Sequence, residues 1–506
     1  MGRFLCILLS ALSASLAFGA APAKKRPQPA RRAPIARPLP LAERIQKLLN
    51  SSEASRGAHW GVLAVSLSTG KTIAAHNETR LFVPASNTKL FSTALALERL
   101  GPNYKFQTKI IADLLPDKDG RITGDLRLIG GGDPTISGRV YPYQAKSVGD
   151  SPFAPLEELA AQLANRGVKE IQGDIVGDDS RYPWDPFPVG WAVDDPIYEY
   201  GSPVSALTWN DNAFRISLEA ASEVGAPPSL TIFPNISYFS VQNLVTTDEG
   251  RESKINFRHS TAANELVVSG HLGMRAKAYT ELLGVDDPAL FAASALRDVL
   301  EQHGIRIWGS ARAQHRMVGE QRVSGGQVLA ERVSPPLAEV AKVVNKVSQN
   351  LHAEILLREV AFVKRGEGTR QLGQKEMTEF LAEAGVAKNG FHFEDGSGLS
   401  RLTLLTPETA VKLLTFMHKS KNAEAYAHTL PIGGEDGTLD SRFGGAGAVG
   451  KVRAKTGSLT HVSALSGYAD SPTKGRIAFS VLVNNFNAPT SEIRQVMDKI
   501  VLALSE

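Results

Sequence analysis

A serine hydroxyl becomes a nucleophile when a neighbouring base takes its proton, and an amine can do so only if its pKa is drawn down toward the working pH. Ser86 and Lys89, within VPASNTKLFSTALALERL (residues 83–100), place such a pair three residues apart. The same spacing recurs at Ser68/Lys71 and Ser471/Lys474, so spacing alone decides nothing. Context separates the three. WGVLAVSLSTGKTIAAHN reads as two β-runs joined by a Gly-containing hairpin turn that holds Ser68 and Lys71. Ser471 likewise falls in a Pro/Gly connection ahead of the β-prone run GRIAFSVLVNNF. Pro84, in contrast, stands just outside a helix expected to begin near Asn87, with Ala94, Leu95, Leu97 and Leu100 along one side. Three residues turn a helix through about 300°, so Ser86 and Lys89 share a face at its start, where free N–H groups favour negative charge developing on oxygen.

Two further patterns add to the pair. Ser348-Gln349-Asn350 lies at the junction of two helical stretches, and Lys455-Thr456-Gly457-Ser458 opens the β-rich AKTGSLTHVSALSGYAD. Ser-x-Asn arises by chance, as at Ser420-Lys421-Asn422, whereas Lys-Thr-Gly occurs once against a chance expectation of about 0.05 to 0.1. Together they divide the labour of acyl transfer. Lys455 supplies a second cation that favours a neutral Lys89 and attracts a substrate carboxylate. Ser348 passes a proton to a leaving amine, while the Asn350 amide holds a substrate carbonyl and bonds the lysine. The N–H groups of Ser86 and Ser458 form an oxyanion hole, with Gly457 between Ser458 and the Thr456 hydroxyl that meets a terminal carboxylate.

Other machinery finds little support. No Gly-x-Ser-x-Gly elbow and no His-Glu-x-x-His are present, and the eleven histidines are scattered. Gly130-Gly131-Gly132 lacks the lysine of a phosphate loop and reads as turn chemistry. Neither a metal nor a diffusible cofactor is implied.

The elements that must carry these residues alternate. LAERIQKLLN reads as a helix, followed by the hairpin around Ser68 and the helix after Ser86. From about 105 to 324 the texture is short β-prone runs broken by Gly, Pro and Asp, with helical patches at PLEELAAQLANRG and DPALFAASALRDVLEQHG. Trp184, Trp191 and Tyr182 in this region read as packing residues rather than a sugar-binding surface. Helices return in PPLAEVAKVVNKVSQNLHAEILLREVAFVKR, interrupted at Ser348, and in TPETAVKLLTFMHKS, with Thr406 as N-cap and Pro407 at the first position. SEIRQVMDKIVLALSE closes the chain as an amphipathic helix.

At 506 residues, with 42% apolar and 21% charged residues, the chain suits several globular domains. Residues 1–21 carry Arg3, an apolar run from Phe4 to Phe18 and the small residues Gly19 to Ala21, the layout of a cleaved secretory signal. The single cysteine, Cys6, lies inside it, so the processed protein has no thiol chemistry. Residues 22–40 form a basic, Pro-rich tail that cannot bury a core. Seven basic and no acidic residues lie in 1–40, so the formal charge of +4 becomes −3 without them, and a nucleic-acid partner is not expected. No long apolar run recurs downstream, so no membrane-spanning helix is expected after signal removal.

VPASNTKL, NKVSQNLHAE, EDGSGLSR, GTLDSRF, AKTGSLTHVSALSGYA, GGGDPT and VSALTWNDNAF together resemble the D-alanyl-D-alanine carboxypeptidases/endopeptidases of the low-molecular-mass class C penicillin-binding protein group. The resemblance covers nearly all of residues 41–506. It implies an α+β fold: a penicillin-binding/β-lactamase-like domain, residues 41–104 and 325–506, interrupted at 105–324 by one or two accessory lobes. It also implies cleavage of the terminal D-Ala from peptidoglycan stem peptides, hydrolysis of D-Ala cross-links, and acylation by β-lactams at Ser86; the signal layout of residues 1–21 leads to the expectation of a periplasmic location. Carried onto this sequence, Ser86 is the acyl-enzyme nucleophile, Lys89 its base, Ser348 and Asn350 the proton path and substrate holder, and Lys455 and Thr456 the carboxylate anchors. Arg401 stands either to meet a diaminopimelate-type carboxylate or to pair within its own tight loop. Gln349 replaces the family's frequent aspartate, at a position expected to point away from the chemistry. A β-lactamase of the same fold and a non-catalytic envelope scaffold are the competing readings.

Overall fold

Strands His59–Ser66 and Thr72–His76, near the start of the chain, complete a sheet whose other members are Val452–Leu459, Val462–Ser471 and Gly475–Asn484 near its end. In this computed structural model the five strands are antiparallel, in the order Val452–Leu459, Val462–Ser471, Gly475–Asn484, His59–Ser66, Thr72–His76. The structure describes residues 39–145, 147, 149–259, 265–322, 325–445 and 448–506. The expected signal segment, 1–21, and all but the last two residues of the basic tail lie outside these.

Both faces of the sheet are covered, which is why its strands read as continuous apolar runs such as IAFSVLV (477–483). Alternation along the strand sends Trp60, Val62 and Ala64 to one face and Leu63 to the other. The first face packs against the helices Leu41–Leu49 and Thr490–Ser505; the second meets a helical cluster that includes Thr88–Leu100, Asn350–Arg365 and Pro407–Lys419. The Thr88–Leu100 helix was expected to show one apolar side. It sits instead at the centre of that cluster, with every residue from Thr88 to Leu97 buried. Thr406 caps the Pro407–Lys419 helix by accepting from the Thr409 amide, as its sequence predicts. The two other Ser-x-x-Lys matches fall in the hairpin connections after Ser66 and before Gly475.

The intervening region has its own core and sheets. Its largest sheet runs Ala311–Gln314, Ile175–Asp178, Leu126–Ile129, Gln107–Ala112, Gln327–Val333, with the first three strands parallel. Helices Ala154–Asn165 and Pro288–Gln302 contribute to the same core. The last strand, Gln327–Val333, pairs with Gln107–Ala112, so the chain leaves this sheet only at Ser334. There the two crossings run side by side, Ser334 N–H bonding the Phe106 carbonyl and Leu337 N–H that of Tyr104.

Trp191 donates to Asp395, the buried Tyr182 donates to Glu359, and Trp184 packs on His315 with ring centroids 3.9 Å apart, all three acting in packing.

Candidate active site

Ser86 lies in a single 3-10 turn, Ala85–Asn87, that leads directly into the Thr88–Leu100 helix. Ala85 before it has φ +46°, a left-handed conformation that costs a residue with a Cβ and that aims the turn into the cleft. Lys89, one turn on, is fully buried, and its Nζ lies 2.9 Å from Ser86 Oγ. It also reaches Asn350 Oδ1 and, at 2.8 Å, the Ser397 carbonyl. A neutral amine matches this set: two hydrogens for the two carbonyl oxygens, and a lone pair for the serine hydroxyl.

Burial brings the Lys89 pKa down to about 7, against the opposing pull of Asp395, Glu354 and Glu199. Desolvation is the chief cause, and Lys455 and Lys89 also repel each other's charge. Lys455 is itself fully buried, and burial first, then Lys89, pushes its pKa well below that of a free lysine.

Ser348 interrupts its helical stretch in an unforeseen way. The Leu337–Lys342 helix widens into a π-turn, Val343–Val347, and ends at Ser348 with φ +69° before the Asn350–Arg365 helix begins. That break turns the Ser348 hydroxyl toward Lys455, whose Nζ donates to it at 2.9 Å and to the Thr456 carbonyl at 2.7 Å. Gln349 is buried and points away from Ser86 and Lys89: its Oε1 caps Leu351 N–H and its Nε2 donates to Glu199 at 2.6 Å.

Val452–Leu459 is the outer strand of its sheet. Ala454 N–H bonds the Pro431 carbonyl on the outward side, so strand alternation turns the N–H groups of Thr456 and Ser458 outward as well. Gly457 allows the close approach. A Cβ there would lie 2.7 Å from the Pro84 carbonyl oxygen and 3.1 Å from Ser86 N. The Asn87 amide fastens the two motifs together by donating to the Lys455 carbonyl at 2.9 Å.

Ser86, Ser348, Thr456, Gly457 and Ser458 line one cavity of about 570 Å³, together with residues of the C-terminal helix. Lys89 and Lys455 stand behind this lining, bonded to Ser86 and Ser348, and Asn350 connects to it through Lys89. Arg401 does not line it; its guanidinium donates to the Thr460 carbonyl at 3.2 Å.

The supporting shell was largely missed. The buried Asp395 accepts from the amides of Gly398 and Ser400 and the hydroxyls of Ser397 and Thr403, fixing the loop whose Ser397 carbonyl meets Lys89. Glu354 holds the same loop by accepting from the Gly396 and Ser397 amides. Tyr200, from the intervening region, accepts from Asn350 Nδ2 through its carbonyl at 2.7 Å. The signal for the loop was its Asp-Gly-Ser-Gly turn; none marked Tyr200, whose contribution is backbone.

This α+β arrangement is a penicillin-binding/β-lactamase-like fold. It superposes on penicillin binding protein 4 (DacB) of Haemophilus influenzae with a TM-score of 0.79 at 25% identity, covering 91% of this chain and 99% of that one. A second structure of that protein, complexed with a β-lactam, superposes with a TM-score of 0.75 at 24% identity over the same shares. The model of the D-Ala-D-Ala carboxypeptidase 3 (S13) family matches residues 41–506. The D-alanyl-D-alanine carboxypeptidase of Actinomadura sp. (strain R39) is 33% identical over 487 residues, 93% of this chain and 85% of that one. D-alanyl-D-alanine carboxypeptidase DacB of H. influenzae is 28% identical over 457 residues, 89% and 90% of the two chains. The chain belongs to the D-Ala-D-Ala carboxypeptidase 3 (S13) family. It is a serine hydrolase with D-Ala-D-Ala carboxypeptidase activity, and among its described residues no helix is long and apolar enough to cross a membrane.

Proposed function

We propose that Ser86 is the acylated residue and that the enzyme works on peptidoglycan stem peptides outside the cytoplasm. One observation carries this reading: segments around residues 86, 348 and 456, far apart in the chain, meet at one cavity, with a buried amine against the hydroxyls of Ser86 and Ser348. Lys89 takes the Ser86 proton as Oγ bonds to the carbonyl carbon of the penultimate D-Ala. The N–H groups of Ser86 and Ser458 receive the oxyanion. The amide C–N bond then breaks as the proton held by Lys89 goes to the leaving D-Ala amine, with Ser348, bonded by Lys455, as its relay. Water then attacks the ester and gives a proton to the neutral Lys89, which returns it to Ser86 Oγ as the ester C–O bond breaks.

Asn350 holds the acyl side while orienting Lys89. Thr456 and Ser458 offer hydroxyls to the terminal carboxylate beside Gly457. Lys455 supports that anchor through Ser348 and the Thr456 carbonyl. Residues 105–324, extended to Val333, form an accessory region inserted into the catalytic domain and contribute Tyr200 to the cleft. The apolar run after Arg3 supports export to the periplasm. β-Lactams, whose ring amide mimics the scissile bond, acylate the same serine.

Labelling the purified protein with a fluorescent penicillin tests the assignment. A lasting adduct that disappears in Ser86→Ala, with D-Ala release from a stem pentapeptide lost in Lys89→Ala, is the expected result. Rapid turnover of a chromogenic cephalosporin without lasting label would favour a β-lactamase instead.

A further inference from the structure

In the stretch VSALTWNDNAF of the intervening region, Asn210, Asp211 and Asn212 follow one another at φ +50°, +56° and +54°, three left-handed residues in a row without a glycine. Asparagine and aspartate bear that conformation best among residues with a side chain, but it persists only where the surroundings impose it. Here they do. Asn210 Nδ2 donates to the Ala213 carbonyl at 2.8 Å, Asn212 Nδ2 to the Pro203 carbonyl at 2.9 Å, and the buried Trp209 Nε1 to the Pro152 carbonyl at 2.8 Å. What this turn presents is the buried carboxylate of Asp211.

Its Oδ2 accepts from Arg139 Nε at 2.8 Å, within the intervening region, while Oδ1 reaches across to His352 Nε2 at 2.9 Å. Burial opposes the Asp211 charge, but Arg139 and His352 outweigh it and hold the pKa below the usual carboxylate range. A carboxylate only accepts, so the hydrogen lies on His352 Nε2. His352 is fully buried and its Nδ1 has no partner, which leaves Asp211 as the one polar hold on the ring among the described residues.

His352 stands two residues after Asn350, in the first turn of the Asn350–Arg365 helix. The same segment is tied to the intervening region twice more, by Gln349 to Glu199 and by Asn350 Nδ2 to the Tyr200 carbonyl. Glu199 is half-buried and Tyr200 exposed, on one short turn, whereas Asp211 is buried and its turn is fixed by its own neighbours.

We propose that Asp211 is a positioning residue for acyl transfer. Acting through His352, it sets the first turn of the Asn350–Arg365 helix, which keeps the Asn350 carbonyl on Lys89 and the Ser348 hydroxyl on Lys455. The intervening region is then a working part of the active site rather than an appendage to it. The inference rests on Ser86 being the acylated residue and Lys89 its base. A misplacement of about 1 Å can cost about 10²-fold in rate, and with the Glu199 and Tyr200 ties still in place about tenfold is expected.

The probe is 6-aminopenicillanic acid, a β-lactam with no acyl amide for Asn350 to hold, followed by its competition with a fluorescent penicillin over a range of concentrations. This gives a dissociation constant and an acylation rate constant for each full-length variant. Asp211→Ala and His352→Leu are each expected to lower the rate constant about tenfold, with the dissociation constant changed by less than about threefold. His352→Leu leaves Arg139 and Asp211 paired, so a loss there does not come from a broken ion pair. The double variant should lose no more than the slower single one, because both break one link. Asp211→Asn keeps an acceptor for His352 but not the counter-ion of Arg139. It should recover most of the rate constant even though thermal unfolding finds it less stable than the wild type.

A wild-type rate constant in His352→Leu, losses that multiply in the double variant, an Asp211→Asn as slow as Asp211→Ala, or a loss confined to the dissociation constant would each overturn the positioning role. If Asp211→Ala does not fold, His352→Leu and Asp211→Asn decide the question without it. Failure of the wild type to label through Ser86 is a separate result, which removes the Ser86 assignment itself and this inference with it.

Discussion

Lys89 Nζ faces Ser86 Oγ at 2.9 Å, the lysine fully buried and the serine half-exposed to the cavity. An amine in that position loses the solvation that would hold its proton, while the hydroxyl in front of it stays open to substrate. The carboxylates of Asp395, Glu354 and Glu199 pull the other way, and burial prevails. Packing thus lowers the proton affinity of this amine before any substrate arrives.

The first prediction is a pH profile. With the Lys89 pKa brought down to about 7, the amine is protonated and unable to accept below that pH, and free above it. The rate of penicillin acylation should therefore rise through pH 7 and level off near pH 8. Stopped-flow labelling between pH 5.5 and 8.5 checks this. A rate flat across that range would remove Lys89 as the base.

Gly457→Ala probes the oxyanion donors. Its Cβ would press on the Pro84 carbonyl oxygen and Ser86 N, both backbone atoms with little freedom to move. Displacing Ser86 N–H should lower acylation about 10²-fold, the scale of losing one such donor. Overpacking should also cost about 1–3 kcal/mol of stability. Labelling kinetics and urea unfolding of the variant measure the two effects, and acylation at the wild-type rate would exclude Ser86 N–H as a donor.

The order of motifs, the family and the α+β class were legible because each rests on local patterns: a Ser-x-x-Lys at a helix start, a Lys-Thr-Gly on a strand, Thr406-Pro407 opening a helix. What escaped depended on distant chain. Burial of Lys89 comes from the Ser397 loop and the Asn350 helix, neither of which its own periodicity reveals. The same holds for Gln327–Val333, whose partner strand lies some two hundred residues earlier, and for the Tyr200 carbonyl, a backbone group without a sequence signature. The π-turn before Ser348 likewise left no mark in a run that reads as ordinary helix.

Glu359 joins the two regions from inside. Fully buried, it accepts from Arg181 and from the hydroxyls of Tyr104 and Tyr182, with Arg181 stacked 3.8 Å over Phe362. Glu359→Ala leaves the guanidinium without its counter-ion and should cost about 3–5 kcal/mol. Thermal unfolding checks this, with penicillin labelling at low temperature showing that the cleft survives in molecules still folded. A loss below about 1 kcal/mol, the scale of an exposed ion pair, would mean that the cluster is hydrated rather than buried.

Gln349→Asp separates the family's frequent residue from this chain's own solution. Aspartate can still cap the Asn350 helix, but it removes the Nε2 donor and sets a carboxylate against Glu199. Burial already pushes the Glu199 carboxyl up, with the Asp211 charge adding to it. In the variant a further rise makes the folded state hold a proton that the unfolded state releases. Stability is then retained at low pH and lost as pH rises through the raised pKa, where unfolding frees the proton. The cost relative to wild type should therefore be small at pH 5 and about 1–3 kcal/mol at pH 8, the scale of an unsatisfied buried polar group. Urea unfolding of both proteins at the two pH values decides it. An equal cost at both would show that Gln349 acts through its helix cap, with Glu199 uninvolved.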